Sequence, residues 1–221
     1  MPSLDWNLKV WDKSYAWPKD GDEWFEMAAS CGVPYEKWKD QLVRTFMVPH
    51  LRPLHTALEI GPGHGRWSVE LRKRVPSGVL HLADLSPSCL AFCAQRLAGS
   101  PNAMNYHVTD GSSLPGIGTA SIDFVWSFDV FVHIEEAEVR GYARELQRVM
   151  KPQSIGVIHH AGSPTADQRA AGMRSAVTGR LFSEILAKNS LHVIRQTDQW
   201  GDNNACSVKL SGDMITVFAR P

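Results

Sequence analysis

The sequence predicts a doubly wound α/β fold: a mostly parallel, seven-stranded sheet with helices on both faces and a helical N-terminal cover. Three observations predict it. Between residue 56 and about residue 196, short apolar runs alternate with amphipathic helical stretches, as in a parallel sheet whose crossovers are helices. The first apolar run ends in a glycine-rich turn, Gly61-Pro62-Gly63-His64-Gly65. Acidic residues stand at the ends of successive runs, at Glu59, Asp84, Asp110 and Asp129. Right-handed crossovers bring all those ends to one edge of the sheet, where ligands bind.

The elements follow in order. Residues 1–50 hold five tryptophans (Trp6, Trp11, Trp17, Trp24, Trp38), broken by Pro18, Gly21, Gly32 and Pro34. Helices fit 22–30 and 35–47. Thr56–Ile60 is apolar and runs into glycine, which fits a buried strand. Arg66–Arg74 has helical spacing. A second strand fits 79–83, and Ser86-Pro87 opens a helix to about residue 97. A third strand fits 105–108. The strongest strand is 122–128, bounded by Ser121 and Asp129. A long amphipathic helix over 135–150 stops at Lys151-Pro152. A strand at 155–159, a helix at 177–188, and strands at 191–196 and 214–219 complete the chain. We expect one structural domain, with residues 1–50 as a lid and acceptor region and 51–221 as a ligand-binding core.

Composition narrows the function. The chain has 221 residues, with 23 Lys+Arg against 23 Asp+Glu and a formal net charge of zero. Proteins that grip phosphate backbones are built from excess Lys and Arg, so nucleic acid is not the expected partner. No run approaches the roughly 18 apolar residues of a membrane span. Met1-Pro2-Ser3-Leu4-Asp5-Trp6 lacks a signal-peptide core, so a cytoplasmic protein is expected. Cys31, Cys89, Cys93 and Cys206 match no zinc spacing and read as reduced packing residues.

Glycines let a chain turn sharply and let a ligand lie against bare backbone. The helix that follows offers free N–H groups. A phosphate-binding P-loop would end Gly-Lys-Ser/Thr, which is absent. The dinucleotide pattern would need glycine at position 66, where Arg66 stands. What remains is acid-x-G-x-G-x-G from Glu59 to Gly65.

That spacing resembles motif I of class I S-adenosylmethionine (SAM) methyltransferases. The downstream acids extend the resemblance in order over roughly residues 55 to 160. It implies SAM as cofactor, with S-adenosylhomocysteine as product, on a Rossmann-like fold. It implies that Gly61, Gly63 and Gly65 back the methionine part and that Glu59 orients the loop. Asp84 would hold the ribose hydroxyls, Asp110-Gly111 the adenine, and Ser127-Phe128 the floor.

The methyl group of SAM is already activated, so the protein must align the acceptor, exclude water and often remove a proton. His133 lies four residues after Asp129, and His159-His160 close the fifth strand. Histidine suits proton transfer near neutral pH. We expect His133 as base, Asp129 beside it, and His159 or His160 positioning the acceptor. Asp129, Glu135 and these histidines are alternatively ligands for a divalent cation such as Mg that acidifies a hydroxyl. The spacing does not demand a metal, and none is assigned.

Amino-methylating DNA enzymes carry Pro-Pro-aromatic after the fourth strand, which Ser127-Phe128-Asp129-Val130 lacks. Cytosine-C5 enzymes need Pro-Cys, also lacking. Residues 58–67, Trp126-Ser127-Phe128-Asp129 with His133, Ile158-His159-His160, Gln196 and Trp200-Gly201 resemble small methyltransferases of polysaccharide biosynthesis, including sugar O-methyltransferases of the methylmannose-polysaccharide type. That group carries Trp-Arg where this chain has Met173-Arg174. The resemblance implies a saccharide or similar polyhydroxylated acceptor. Tyr15 and Trp17, flanked by Lys13 and Lys19, would stack on a sugar face, and the tryptophan-rich segment would dry the site. The competing readings are a phenol, amine or lipid acceptor, and a non-catalytic SAM-binding partner subunit. A homodimer is compatible with each.

Overall fold

The computed structural model describes residues 3–18, 24–170, 174–209 and 212–221. Lys19, Gly21, the beginning of the expected helix at 22–30, and Met173 lie outside the described residues.

Helix α1 (Leu4–Lys9) begins where the Ser3 side chain accepts the N–H of Trp6, and it tightens into a π-helical turn, Val10–Ser14. Helices α2 (Phe25–Ser30) and α3 (Tyr35–Phe46) follow. The extended Pro34 opens α3, whose residues Tyr35, Trp38, Leu42 and Phe46 recur at helical spacing and are buried. Then come β1 (Thr56–Ile60), α4 (Arg66–Arg74), β2 (Val79–Asp84), α5 (Pro87–Arg96) and β3 (Ala103–Val108). Ser86 caps α5 by accepting from Cys89 N–H, with Pro87 in the first helical turn. Next are β4 (Ile122–Phe131), α6 (Glu136–Val149), β5 (Met150–Ala161), α7 (Ala166–Ala170), α8 (Gly179–Lys188) and β6 (His192–Thr197). A small hairpin, β7 (Gln199–Trp200) with β8 (Cys206–Ser207), precedes the last strand, β9 (Asp213–Ala219).

Seven strands form one sheet in the order β3-β2-β1-β4-β5-β9-β6. The first five are parallel, and β9 is antiparallel to both β5 and β6. The fold class is the one the alternation predicts. Because side chains alternate along each strand, each face of the sheet builds its own core. Trp38, Leu42, Leu71 and Leu80 pack with Trp126 and Val217 on one face. Leu58, Val125, Ile158, Leu146 and Phe182 pack on the other. Residues 24–47 therefore belong to a main core layer, while α1 and its π turn lie over the open edge.

Two boundaries differ from the sequence expectation for a physical reason. Strand β4 continues past Phe128 to Phe131 through an irregular register between Ser127 and Phe131. Asp129 sits in that irregularity with φ +66°, left-handed backbone that a non-glycine residue rarely adopts. Strand β5 begins at Met150, immediately after α6, because Pro152 ends the helix without ending the chain's pairing. The register there shifts between Ile122 and Phe124.

The four cysteines are free, and only Cys31 is partly exposed. Among the described residues no helix is long and apolar enough to cross a membrane.

Candidate active site

The strand order reverses between β1 and β4, so the crossovers diverge and leave a cleft beyond the carboxyl ends of these strands. A cavity occupies it, lined by the glycine loop, Asp84, Gly111, Phe128, Asp129 and His133, and roofed by residues of the N-terminal segment.

The loop after β1 needs glycine for two reasons. Gly61 and Gly63 have φ of +68° and +52°. A Cβ at Gly61 would stand 2.2 Å from Val130 Cγ2, and one at Gly63 would stand 2.5 Å from the Trp17 indole. Gly65, also at positive φ, opens α4. Glu59 and Gly65 do not line the cavity. Glu59 is buried behind the loop and accepts the Ser68 hydroxyl at 2.5 Å, tying the end of β1 to the first turn of α4. Burial pushes its carboxyl up to about 8, against the Ser68 hydrogen bond and the Arg66 charge.

Asp84 ends β2 inside the cavity. One oxygen accepts Gly63 N–H at 3.1 Å and the other accepts Ser86 N–H at 2.9 Å. Each oxygen retains a lone pair for a further donor. Burial raises this carboxyl to about 6, and the two backbone N–H groups restrain the rise.

Asp110 is placed differently. Its carboxylate is exposed, accepts the N–H groups of Ser112 (2.8 Å) and Ser113 (2.7 Å), and is held below the usual carboxylate range by them. It closes its own turn, and Gly111 lines the cavity in its stead. Ser127 is buried within β4 and donates to Ile60 O at 2.8 Å, binding the two central strands together. Phe128 lines the cavity.

His133 Nε2 lies 3.8 Å from Asp129 Oδ1. Burial lowers His133 to about 4, so the imidazole is neutral at pH 7, and Asp129 opposes the drop. Its Nδ1 is buried without a hydrogen-bond partner among the described residues. His159 is buried under the floor, stacked on Phe128 at 4.3 Å, and its Nδ1 accepts the N–H of Asp129 at 3.0 Å. His160 points to the opposite face, stacks on Phe182 at 3.9 Å, and has its ring nitrogens against Ala161 O and Thr216 Oγ1, each at 2.7 Å. Burial lowers it to about 3. Neither His159 nor His160 lines the cavity. Adjacent residues of a strand face opposite ways, so only one of the pair was able to reach the site.

The structure adds residues that the motifs do not carry. Asn7 Nδ2 donates to His133 O at 2.8 Å, and Trp11 packs its ring 5.1 Å from His133. Asp12 accepts from the hydroxyls of Ser86 (2.7 Å) and Ser88 (2.6 Å) at the start of α5. Trp17 lines the cavity, whereas Tyr15 packs against Trp11 and Trp17, each at 4.9 Å, and is not among the lining residues. Arg66, buried at the cavity wall, lays its guanidinium over Trp67 (4.9 Å) and Phe128 (5.9 Å). Arg66 directly follows the glycines, a position that sequence reading used only to exclude the dinucleotide pattern.

Glu135 stands at the start of α6, where Oε2 accepts Ala176 N–H, away from the cavity. Among the described residues no group of three or more His, Cys, Asp or Glu side chains is arranged to hold a metal ion.

The donor set suits SAM. Asp84 has spare acceptor capacity for ribose hydroxyls, the glycine loop offers bare backbone, Phe128 offers an apolar floor and Arg66 a cation for a carboxylate.

Comparisons with known proteins agree with this geometry. Residues 57–153 match the family model described as a methyltransferase domain. No curated protein matches the sequence. Geranyl diphosphate C-methyltransferase from Streptomyces coelicolor A3(2), solved with Mg2+, geranyl diphosphate and S-adenosyl-L-homocysteine, is similar in structure with a TM-score of 0.71. It is 13% identical, over 100% of this chain and 99% of that one. A TehB-like SAM-dependent methyltransferase from Corynebacterium glutamicum aligns with a TM-score of 0.62 and 18% identity, covering 88% and 92% of the two chains. A SAM-dependent methyltransferase from Aquifex aeolicus aligns with a TM-score of 0.64 and 16% identity, covering 85% and 94%. At these identities the likeness is one of fold. Together with the match of residues 57–153 to the methyltransferase-domain model, the fold is that of the Rossmann-like methyltransferases.

Proposed function

We propose that the protein transfers a methyl group from SAM to a hydroxyl of a saccharide or similar polyhydroxylated small molecule. The observation that carries this reading is the pair Asp129 and His133 at the cavity wall, 3.8 Å apart, with His133 Nδ1 lacking a partner among the described residues. An alcohol is a poor nucleophile until its proton is taken, and a neutral imidazole backed by a carboxylate is the group for that task.

When bound, SAM supplies an electrophilic methyl on a sulfonium. The chain's residues do the rest. Asp84 accepts ribose hydroxyls, Arg66 takes the methionine carboxylate, and the backbone of Gly61, Gly63 and Gly111 lets the ligand lie close. With its Nε2 proton turned to Asp129, His133 keeps the Nδ1 lone pair for the acceptor hydroxyl. Asp129 favours the imidazolium that results. The segment from Leu4 to Trp17 acts as a lid that excludes water, pinned by Asn7 on His133 O and Asp12 on Ser86 and Ser88.

A second reading has an observation of its own. Leu4, Leu8, Trp11 and Ile134 give the cavity apolar walls, which suit an acceptor with a hydrocarbon or phenyl body. Methyl transfer from tritiated SAM across a panel of pyranosides, phenols, amines and prenyl diphosphates separates the two. Preference for pyranosides is the expected outcome. Preference for phenols, amines or prenyl compounds would overturn the saccharide reading while leaving the methyltransferase intact.

A further inference from the structure

We infer that His159 and Asp213 are positioning residues that hold the Asp129 carboxylate beside His133 from beneath the sheet. This rests on the reading of Asp129 and His133 as the acid and base of the site.

Asp129 does not hold its own conformation. Its backbone is left-handed, φ +66°, in the register irregularity of β4, a state that costs a non-glycine residue of order 1 kcal/mol. The regular ladder to β5 is interrupted there, so its N–H needs another acceptor. His159 Nδ1 supplies it at 3.0 Å. A ring nitrogen that accepts carries a lone pair, so the His159 proton resides on Nε2. That nitrogen faces Asp213 Oδ2 at 3.5 Å, longer than a hydrogen bond but well placed to favour a proton there.

Asp213 is gripped by a cation. Its side chain is fully buried, and Arg174 grips both oxygens, Nε to Oδ1 at 3.0 Å and Nη2 to Oδ2 at 3.1 Å. Antiparallel pairing sets Ala161 opposite Asp213 and His159 opposite Ile215, so Asp213 and His159 share a face of the sheet. Arg174, Asp213, His159, Asp129 and His133 thus form one continuous line from the back of β9 to the cavity. Against the burial that lowers its pKa, His133 feels the charges of Asp129 and Asp213, with Arg174 opposing them. A buried ion pair placed only for stability has no need of this alignment, and apolar residues would fill its volume as well.

Amide hydrogen exchange and ring-nitrogen NMR on the full chain test the inference. His159→Phe keeps the ring on Phe128 and Trp24 but removes the acceptor, whereas His159→Asn keeps an acceptor near the position of Nδ1. The Asp129 amide is expected to exchange at least about tenfold faster in His159→Phe and within about threefold of wild type in His159→Asn. His133 is expected to titrate lower in His159→Phe than in His159→Asn, since the raising influence of Asp129 is lost. Asp213→Asn is expected to move the His159 proton off Nε2 in part of the population and to speed the same amide. An Asp129 amide equally protected in His159→Phe, or a His159 proton unmoved by Asp213→Asn, overturns the inference. Should Asp213→Asn fail to fold, Arg174→Gln with Asp213→Asn removes both charges and is read the same way. Failure of the catalytic reading looks different: His133→Ala then transfers methyl groups normally while the Asp129 amide still depends on His159.

Discussion

The indole of Trp17 lies parallel to the imidazole of His64, 4.5 Å apart and 15° from coplanar, over the glycine loop. His64 stacks in turn on Phe92 of α5 at 3.9 Å. Three rings therefore run from the N-terminal segment to α5, and the Trp17 ring lies so close over Gly63 that a Cβ there would stand 2.5 Å from it. Burial of His64 and the Arg96 charge lower its pKa, which keeps a neutral ring in the stack.

Trp17 is expected to help retain the cofactor. Trp17→Ala removes an aromatic contact of roughly 1 kcal/mol and opens the loop to water. S-adenosylhomocysteine affinity should fall by about five- to tenfold with little change in melting temperature. Titration calorimetry checks this. An affinity equal to wild type would mean that the segment packs over the site without closing it.

Glu59 gives a prediction with a definite sign. Its folded pKa is about 8, raised by burial from an ordinary value of 4.5. Between those values the folded state holds a proton that the unfolded chain has released. Stability therefore falls as pH rises through that window, by up to about 1.4 kcal/mol per pH unit from this group, and levels off above it. Glu59→Gln keeps the shape without the titration. The variant's stability relative to wild type should grow from pH 5 to pH 8 and then stay constant, as measured by urea denaturation. A difference independent of pH would mean that Glu59 remains ionised in the folded protein.

The sheet was legible because hydrophobic runs, glycine and proline carry its elements directly. Strand β1, helix α4 and helix α8 emerge within a residue or two of where periodicity puts them. The bulge at Asp129 was not legible, since nothing local marks a left-handed residue in a run that reads as a strand terminus. Asp110 shows a contact that the motif did not reveal. Its place at a strand end suggests a ligand, yet Ser112 and Ser113 behind it are the signature of a carboxylate spent on its own turn. His159 and His160 differ by one residue and face opposite cores, a choice set by pairing register that spacing alone does not reveal. Asp12 and Asn7 reach Ser86 and His133 across more than seventy residues, so no motif window contains both partners.

His133 is expected to be needed for transfer and dispensable for cofactor binding. His133→Ala should lower turnover by about a hundredfold with the preferred hydroxyl acceptor and leave S-adenosylhomocysteine affinity within about twofold. With a folded pKa of about 4, set by burial, the wild-type rate should be flat from pH 6 to 8 where His133 is concerned. A hydroxyl acceptor methylated at the wild-type rate by His133→Ala would remove it from the mechanism. A rate that doubles or more between pH 6 and 7 through a histidine-like titration would mean that another base acts.

Arg66 is expected to distinguish the two ends of the cofactor. Its guanidinium lines the cavity wall beside Phe128, one residue beyond the glycine loop, and the carboxylate of the methionine part is the anionic group it would take. Arg66→Met keeps the length and apolar stem while removing the charge. A charge-assisted contact of about 1.5–3 kcal/mol predicts roughly ten- to a hundredfold weaker S-adenosylhomocysteine binding. Methylthioadenosine, which has the adenosine and sulfur but no amino-acid tail, should bind the variant as well as it binds wild type. Comparing both ligands on both proteins by calorimetry isolates the tail contact, because collapse of the pocket would weaken them equally. Equal losses for the two ligands would assign Arg66 to the packing of Trp67 and Phe128 and leave the carboxylate to another group.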